Sequence, residues 1–189
     1  MSEQNPEQYA QQYLRETSRI AGDLDQTMIV RMIRMIRELR ERSGRLFILG
    51  VGGSAANASH AVNDFRKISG IEAYAPTDNV SELTAWTNDD GWERVFVNWL
   101  KGSRIEASDA LLILSVGGGS EKASLNLVRA MEYARRVGTP ILSIVSRDGG
   151  KAKELSDAAL LIPVVSDERV TPHAEGWQAV ICHLIANCI

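Results

Sequence analysis

The chain has 189 residues, enough for one domain with a sizeable buried core. Hydrophobic residues at 44% and charged residues at 24% are those of an ordinary globular protein, which argues against a disordered or fibrous chain. A net charge of −3 leaves no basic surplus to hold nucleic acid or an anionic membrane, so any anionic ligand has to be met by local geometry.

The first residues, MSEQNPEQYAQQYLRE, are polar, with no apolar stretch behind a basic start, so no secretory leader is expected. No apolar run approaches a membrane span. A cytoplasmic location follows by elimination. Residues 6–21 and 25–42 are predicted as two amphipathic helices. In the second, Met28, Ile29, Met32, Ile33, Met35, Ile36 and Leu39 recur at helical spacing among Arg31, Arg34, Arg37 and Arg40, and Gly44 ends it.

Short apolar runs then alternate with helical patterns. Arg45–Gly50 (RLFILG), Ala110–Ser115 (ALLILS), Ile141–Ser146 (ILSIVS) and Ala159–Val165 (ALLIPVV) are predicted as buried parallel strands, with Ile71–Ala75 (IEAYA) a weaker fifth. Helical patterns fall near 54–67, 80–88, 91–101, 121–137 and 150–155, and a last helix is predicted from Pro172 to the C-terminus. This alternation predicts an α/β fold with a parallel sheet covered on both faces. Ligands of such sheets bind beyond the carboxyl ends of the strands. That rule points to the loops after Arg45–Gly50 and after Ala110–Ser115.

Both loops are rich in glycine and serine. Gly50-Val51-Gly52-Gly53-Ser54 runs from a strand into a helix whose start offers free N–H groups. Ser115-Val116-Gly117-Gly118-Gly119-Ser120 has the same design, with Ser120 placed to cap the following helix. Each suits a phosphate or sugar hydroxyls, although either alone also serves as a simple chain reversal. No Gly-Lys-Ser/Thr follows and no G-x-G-x-x-G forms, so neither is a P-loop or a dinucleotide fingerprint.

His60 and Asp64 are four apart and share one helical face, where they can hold a metal, share a proton or form a surface hydrogen bond. The last helix carries His173, Glu175 and His183. Glu175 and His183 are separated by roughly 12 Å along a continuous helix, so both reach one ion only if the helix lies across the site or neighbouring subunits contribute. Trp86, Trp92, Trp99 and Trp177 have apolar neighbours and read as core or subunit packing. Arg147-Asp148-Gly149-Gly150 reads as a strand-to-helix turn. Cys182 and Cys188, six apart, lie beyond disulfide reach and read as thiols.

In order along the chain, GVGGSAANASHAVNDF, TDNVSELTAWTNDDGW, SVGGGS, SRDGGKAKELSDAALLIP and TPHAEGWQAVICHLI resemble the phosphoheptose isomerase family of sugar isomerase (SIS) domain enzymes. The likeness covers nearly the whole of residues 1–189 as a single SIS domain, with 1–43 as a helical pair used in oligomer packing. It implies a flavodoxin-like three-layer fold with a five-stranded parallel sheet, a homotetramer, and sites at subunit interfaces. The implied activity is conversion of sedoheptulose 7-phosphate to D-glycero-D-heptose 7-phosphate through an enediol.

Carried over by position, the resemblance implies substrate contacts at Gly52, Gly53, Ser54, Asn88, Asp89, Ser115, Gly117, Ser120 and Glu175. It implies a metal site of His60, Asp64, Glu175 and His183, with the ion taken as zinc. Asp64 is expected as the base and His183 as the acid. Departures are Val51 for an Asn, Gly117 and Gly119 for a Ser and an Asn, Asp64 for a Glu, Glu175 for a Gln, and Gln178 for a His. They leave open a different sugar phosphate, or a non-catalytic tetrameric adaptor of the same architecture. A sugar-phosphate sensor is a third possibility, but no DNA-binding segment is visible.

Overall fold

The computed structural model describes residues 5–189. Two helices open it, α1 (Pro6–Asp23) and α2 (Gln26–Glu41), each capped by a side-chain oxygen, Asn5 on Glu7 and Gln8, and Asp25 on Met28. There follow β1 (Leu46–Leu49), α3 (Gly53–Lys67), β2 (Ala73–Tyr74), α4 (Val80–Asp90), α5 (Val95–Gly102) and β3 (Ala110–Leu114). The chain ends with α6 (Leu125–Val137), β4 (Ile141–Val145), α7 (Gly150–Leu155), β5 (Ala158–Leu161) and α8 (Val170–Cys188).

All five strands are parallel, in the order β2-β1-β3-β4-β5. Alternation along each strand divides the core. Leu46 and Ile48 of β1, Leu112 and Leu114 of β3, and Leu142 and Ile144 of β4 face α2, α3 and α8. Phe47 and Leu49, Leu111 and Ile113, and Ile141 and Val145 face α5, α6 and α7. The order reverses between β1 and β3, so the loops leaving these two neighbouring strands flank the crevice where flavodoxin-like sheets bind ligands.

Several predicted boundaries shift for local reasons. Gly91, at φ 85°, ends α4 and starts a turn, so α5 begins at Val95 rather than near residue 91. The last helix begins at Val170, two residues before Pro172. A proline in the first turn removes no intrahelical donor. The last strand stops at Leu161, ahead of Pro163, and the second spans only two residues. Ser120 does not cap α6, which starts at Leu125. Its hydroxyl accepts from Lys122 N (3.2 Å) and Ala123 N (3.1 Å) in the turn before.

Cys182 is buried and Cys188 exposed, and both are free thiols. Trp99 is buried, Trp86 and Trp177 pack against the two cores, and Trp92 is largely exposed. Among the described residues no helix is long and apolar enough to cross a membrane.

Candidate active site

Helices α3 and α8 run side by side in the same direction, with contacts advancing from Gly53 and Glu175 to Ser69 and Ala186. This pairing brings His183 onto the helical face that carries His60 and Asp64. Asp64 Oδ2 lies 2.9 Å from His183 Nδ1 and 3.4 Å from His60 Nε2, and the two imidazole Nε2 atoms are 3.3 Å apart. One ligand atom from each residue falls within 4.8 Å of the others.

Asp64 is 5% exposed, whereas the two histidine side chains are about half exposed. Asp64 Oδ1 accepts from Asn63 Nδ2 at 3.2 Å. Oδ2 is buried and receives no hydrogen bond, although His183 Nδ1 lies 2.9 Å away. A buried carboxylate oxygen left without a donor is costly, and a cation between it and the two imidazoles would satisfy it. Two nitrogens and one carboxylate oxygen form a donor set that suits a divalent ion such as zinc. Cys182 is close in sequence to His183, but burial pushes its thiol up to about 12, so it offers no thiolate.

Glu175 does not join the three. The α8 helix is continuous, and eight residues along it carry Glu175 to the first turn of α3, where a Cβ on Gly53 would collide with its carboxylate. Asn57 of α3 fixes that stretch, donating to Glu175 O (2.8 Å) and to Gln178 Oε1 (3.1 Å). Gly53 is thus needed for the close approach of α8. Gly52 precedes it at φ 65° and ψ −130°, backbone open essentially to glycine alone. Ser54 is buried, and Val51 packs into the core facing α5 and α6.

The second loop lines a cavity of about 600 Å³ with Ser115, Val116, Gly117, Gly119, Ser120, Ala123, Ser124, Arg147, Asp148 and Thr171. Ser115 Oγ accepts from Gly118 N at 3.1 Å, and Ser120 Oγ accepts the two N–H groups already named. With acceptor positions engaged by backbone donors, each hydroxyl has its own proton free to donate, as an anion requires. The three glycines differ in purpose. Nothing lies within 4 Å of where a Gly117 Cβ would sit, whereas Gly118 (φ 72°) abuts Gly149 O and Gly119 (φ 82°) abuts Val128.

Asn88 and Asp89 are not brought to this cavity. They lie exposed near the end of α4 and bond to each other, Asn88 Nδ2 to Asp89 Oδ1 at 2.9 Å. His173 also leaves the site. It is 4% exposed, stacks on Tyr13 with ring centroids 4.4 Å apart, and lies 2.8 Å from Glu16 Oε2. Arg169 donates to both oxygens of Glu16 at 2.9 Å each. That bidentate pair, helped by His173, holds the Glu16 carboxyl well below its ordinary value, at about 2. Nothing in the sequence marks Glu16, Arg169 or Thr171 as neighbours of the site.

A family model described as SIS domain matches residues 8–146. Phosphoheptose isomerase of Helicobacter pylori is 34% identical over 151 residues, covering 77% of this chain and 74% of that protein. The Nitratiruptor phosphoheptose isomerase is 34% identical over 150 residues, with 77% and 75% covered. Among solved structures, phosphoheptose isomerase from Neisseria gonorrhoeae superposes with a TM-score of 0.82 at 24% identity, over 96% of each chain. That from Francisella tularensis gives 0.81 at 20% identity, over 96% of this chain and 94% of the other. These two show the same fold. The helix pair, the crevice loops and the matches together make this chain a member of the phosphoheptose isomerase family of SIS-domain proteins.

Proposed function

We propose that the protein is an aldose–ketose isomerase that converts sedoheptulose 7-phosphate to D-glycero-D-heptose 7-phosphate through an enediol. The observation that carries this reading is the buried, donor-less Asp64 Oδ2 facing two half-exposed imidazoles. A non-catalytic adaptor has no evident use for such a group. The kinship with phosphoheptose isomerases supplies the substrate class.

His60, Asp64 and His183 would hold a divalent ion, taken as zinc, which when bound polarises a carbonyl or fixes its geometry. The serine–glycine cavity receives the phosphate, with Ser115 and Ser120 as hydroxyl donors. Isomerisation moves a proton between adjacent carbons and needs a base and an acid. Asp64 takes the proton at Oδ1, the oxygen that accepts from Asn63. His183 gives a proton to the carbonyl oxygen from whichever ring nitrogen is not a ligand. Glu175, at the start of α3, faces the reacting end of the sugar rather than completing the ligand set.

The open side of the histidines supports a homotetramer with sites at subunit interfaces. Val180 and Leu184 flank His183 on α8 and are 48% and 44% exposed, and Leu14 on α1 is 65% exposed. In such an assembly a neighbouring copy would supply Asn88 and Asp89. The free thiols fit a cytoplasmic enzyme. The test is turnover of sedoheptulose 7-phosphate by the wild type and by His60→Ala and His183→Ala. Both variants should lose activity while keeping the oligomer. Full activity in either would remove the trio from the mechanism.

A further inference from the structure

The turn Arg147-Asp148-Gly149-Gly150, between β4 and α7, has no part in the chemistry described so far. The residues on either side of it are bound to the serine–glycine loop: Ser146 N donates to Val116 O (3.0 Å), Lys151 N to Gly119 O (3.0 Å) and Ala152 N to Gly118 O (2.9 Å). A Cβ on Gly150 would run into Gly117 O and Gly119 O, so the two loops pack as one body.

Within this body Arg147 is held at φ 54°, in the left-handed region that side chains with a Cβ seldom occupy. Backbone strain of this kind persists where the surroundings enforce it, and it concentrates at ligand sites. Arg147 is the only cationic residue in the cavity wall. The only carboxylate there, Asp148, is turned back to accept from Gly150 N at 3.1 Å. Among the described residues Arg147 itself has no hydrogen bond or ion pair.

The hydroxyls of Ser115 and Ser120 are neutral donors, and Gly117 and Gly119 add no side-chain donor. A phosphate monoester placed there would keep most of its charge uncompensated in a protein of net charge −3. We infer that Arg147 is the specificity-determining cation of this cavity, its guanidinium pairing with the phosphate of the substrate. A guanidinium offers two parallel N–H donors that match phosphate oxygens. The inference rests on the reading of this cavity as the phosphate site, and it can be tested without turnover.

The experiment is calorimetric titration of the full-length protein with inorganic phosphate, comparing wild type with Arg147→Gln, Arg147→Lys and Arg147→Gly, alongside thermal melts. Loss of a charge-assisted contact should weaken phosphate binding about 10- to 100-fold in Arg147→Gln, with Arg147→Lys in between. Arg147→Gly relieves the left-handed backbone, so it should melt no lower than wild type and yet lose phosphate to the same degree. A purely structural arginine would not give that combination. In steady-state assays the deficit should fall mainly on KM for the sugar phosphate. Phosphate affinity in Arg147→Gln within about twofold of wild type would overturn the inference, as would a wild type that binds no phosphate. If phosphate binds through Arg147 but sedoheptulose 7-phosphate is not turned over, the isomerase proposal fails and the arginine assignment stands.

Discussion

At the residue scale the proposed chemistry rests on Asp64, whose Oδ2 is buried, unbonded and faced by two imidazoles. Asp64→Asn keeps the shape and removes the charge. Metal analysis of the purified variant should show occupancy falling far below one divalent ion per chain, with turnover down by on the order of 10² or more. Retained metal together with full turnover would refute the assignment. The glycines of the second loop give a sharper contrast. Gly117→Ser faces open space and should leave the melting temperature nearly unchanged. Gly118→Ser forces a Cβ into Gly149 O at φ 72°, and denaturant titration should show a loss of about 2 kcal/mol or more. The sequence showed a glycine-rich turn at both places. Which glycine is structural and which is open depends on the turn that follows β4, about thirty residues on, and no local pattern records that.

At the scale of elements, α8 does two tasks. Its middle supplies His183 to α3, and its first turn is tied to α1 through Arg169, His173 and Glu16. Thr171 of the cavity wall lies between the two residues of that tie. The Arg169 guanidinium holds the Glu16 carboxyl at about 2, below its ordinary 4.5. A carboxyl so depressed adds stability that is fully present above pH 4.5 and lost as pH falls toward 2. Glu16→Gln should therefore cost about 2 kcal/mol at neutral pH in chemical denaturation, and the two curves should converge near pH 2. A constant gap across that range would exclude the ion pair as the cause. Helices and strands themselves were legible, because apolar spacing is local. The partnership of His173 was not, since its carboxylate lies 157 residues away. For the same reason Glu175 was expected with the metal ligands. Only the packing of α8 along α3 shows that eight residues of helix carry it to Gly53 instead.

At the scale of the whole molecule, the sheet order puts both crevice loops on adjacent strands, and the parallel α3–α8 pair stands beside them. The family likeness implied a flavodoxin-like five-stranded parallel sheet, whereas the alternation of strands and helices predicted only that the sheet would be parallel. Exposed Val180 and Leu184 next to a half-exposed His183 predict assembly. Light scattering should report a tetramer, and Leu184→Glu should break it down and lower activity with it, whereas a monomeric wild type would remove the interface from the site. The account as a whole is tested most directly by NMR of sedoheptulose 7-phosphate in D₂O with the purified protein, before chelation, after chelation and after a divalent ion is restored. It predicts an aldoheptose 7-phosphate carrying solvent deuterium on the former carbonyl carbon, beside the new aldehyde, formation that stops with chelator, and recovery when the ion returns. A ketose left intact and free of deuterium by metal-replete protein would contradict it.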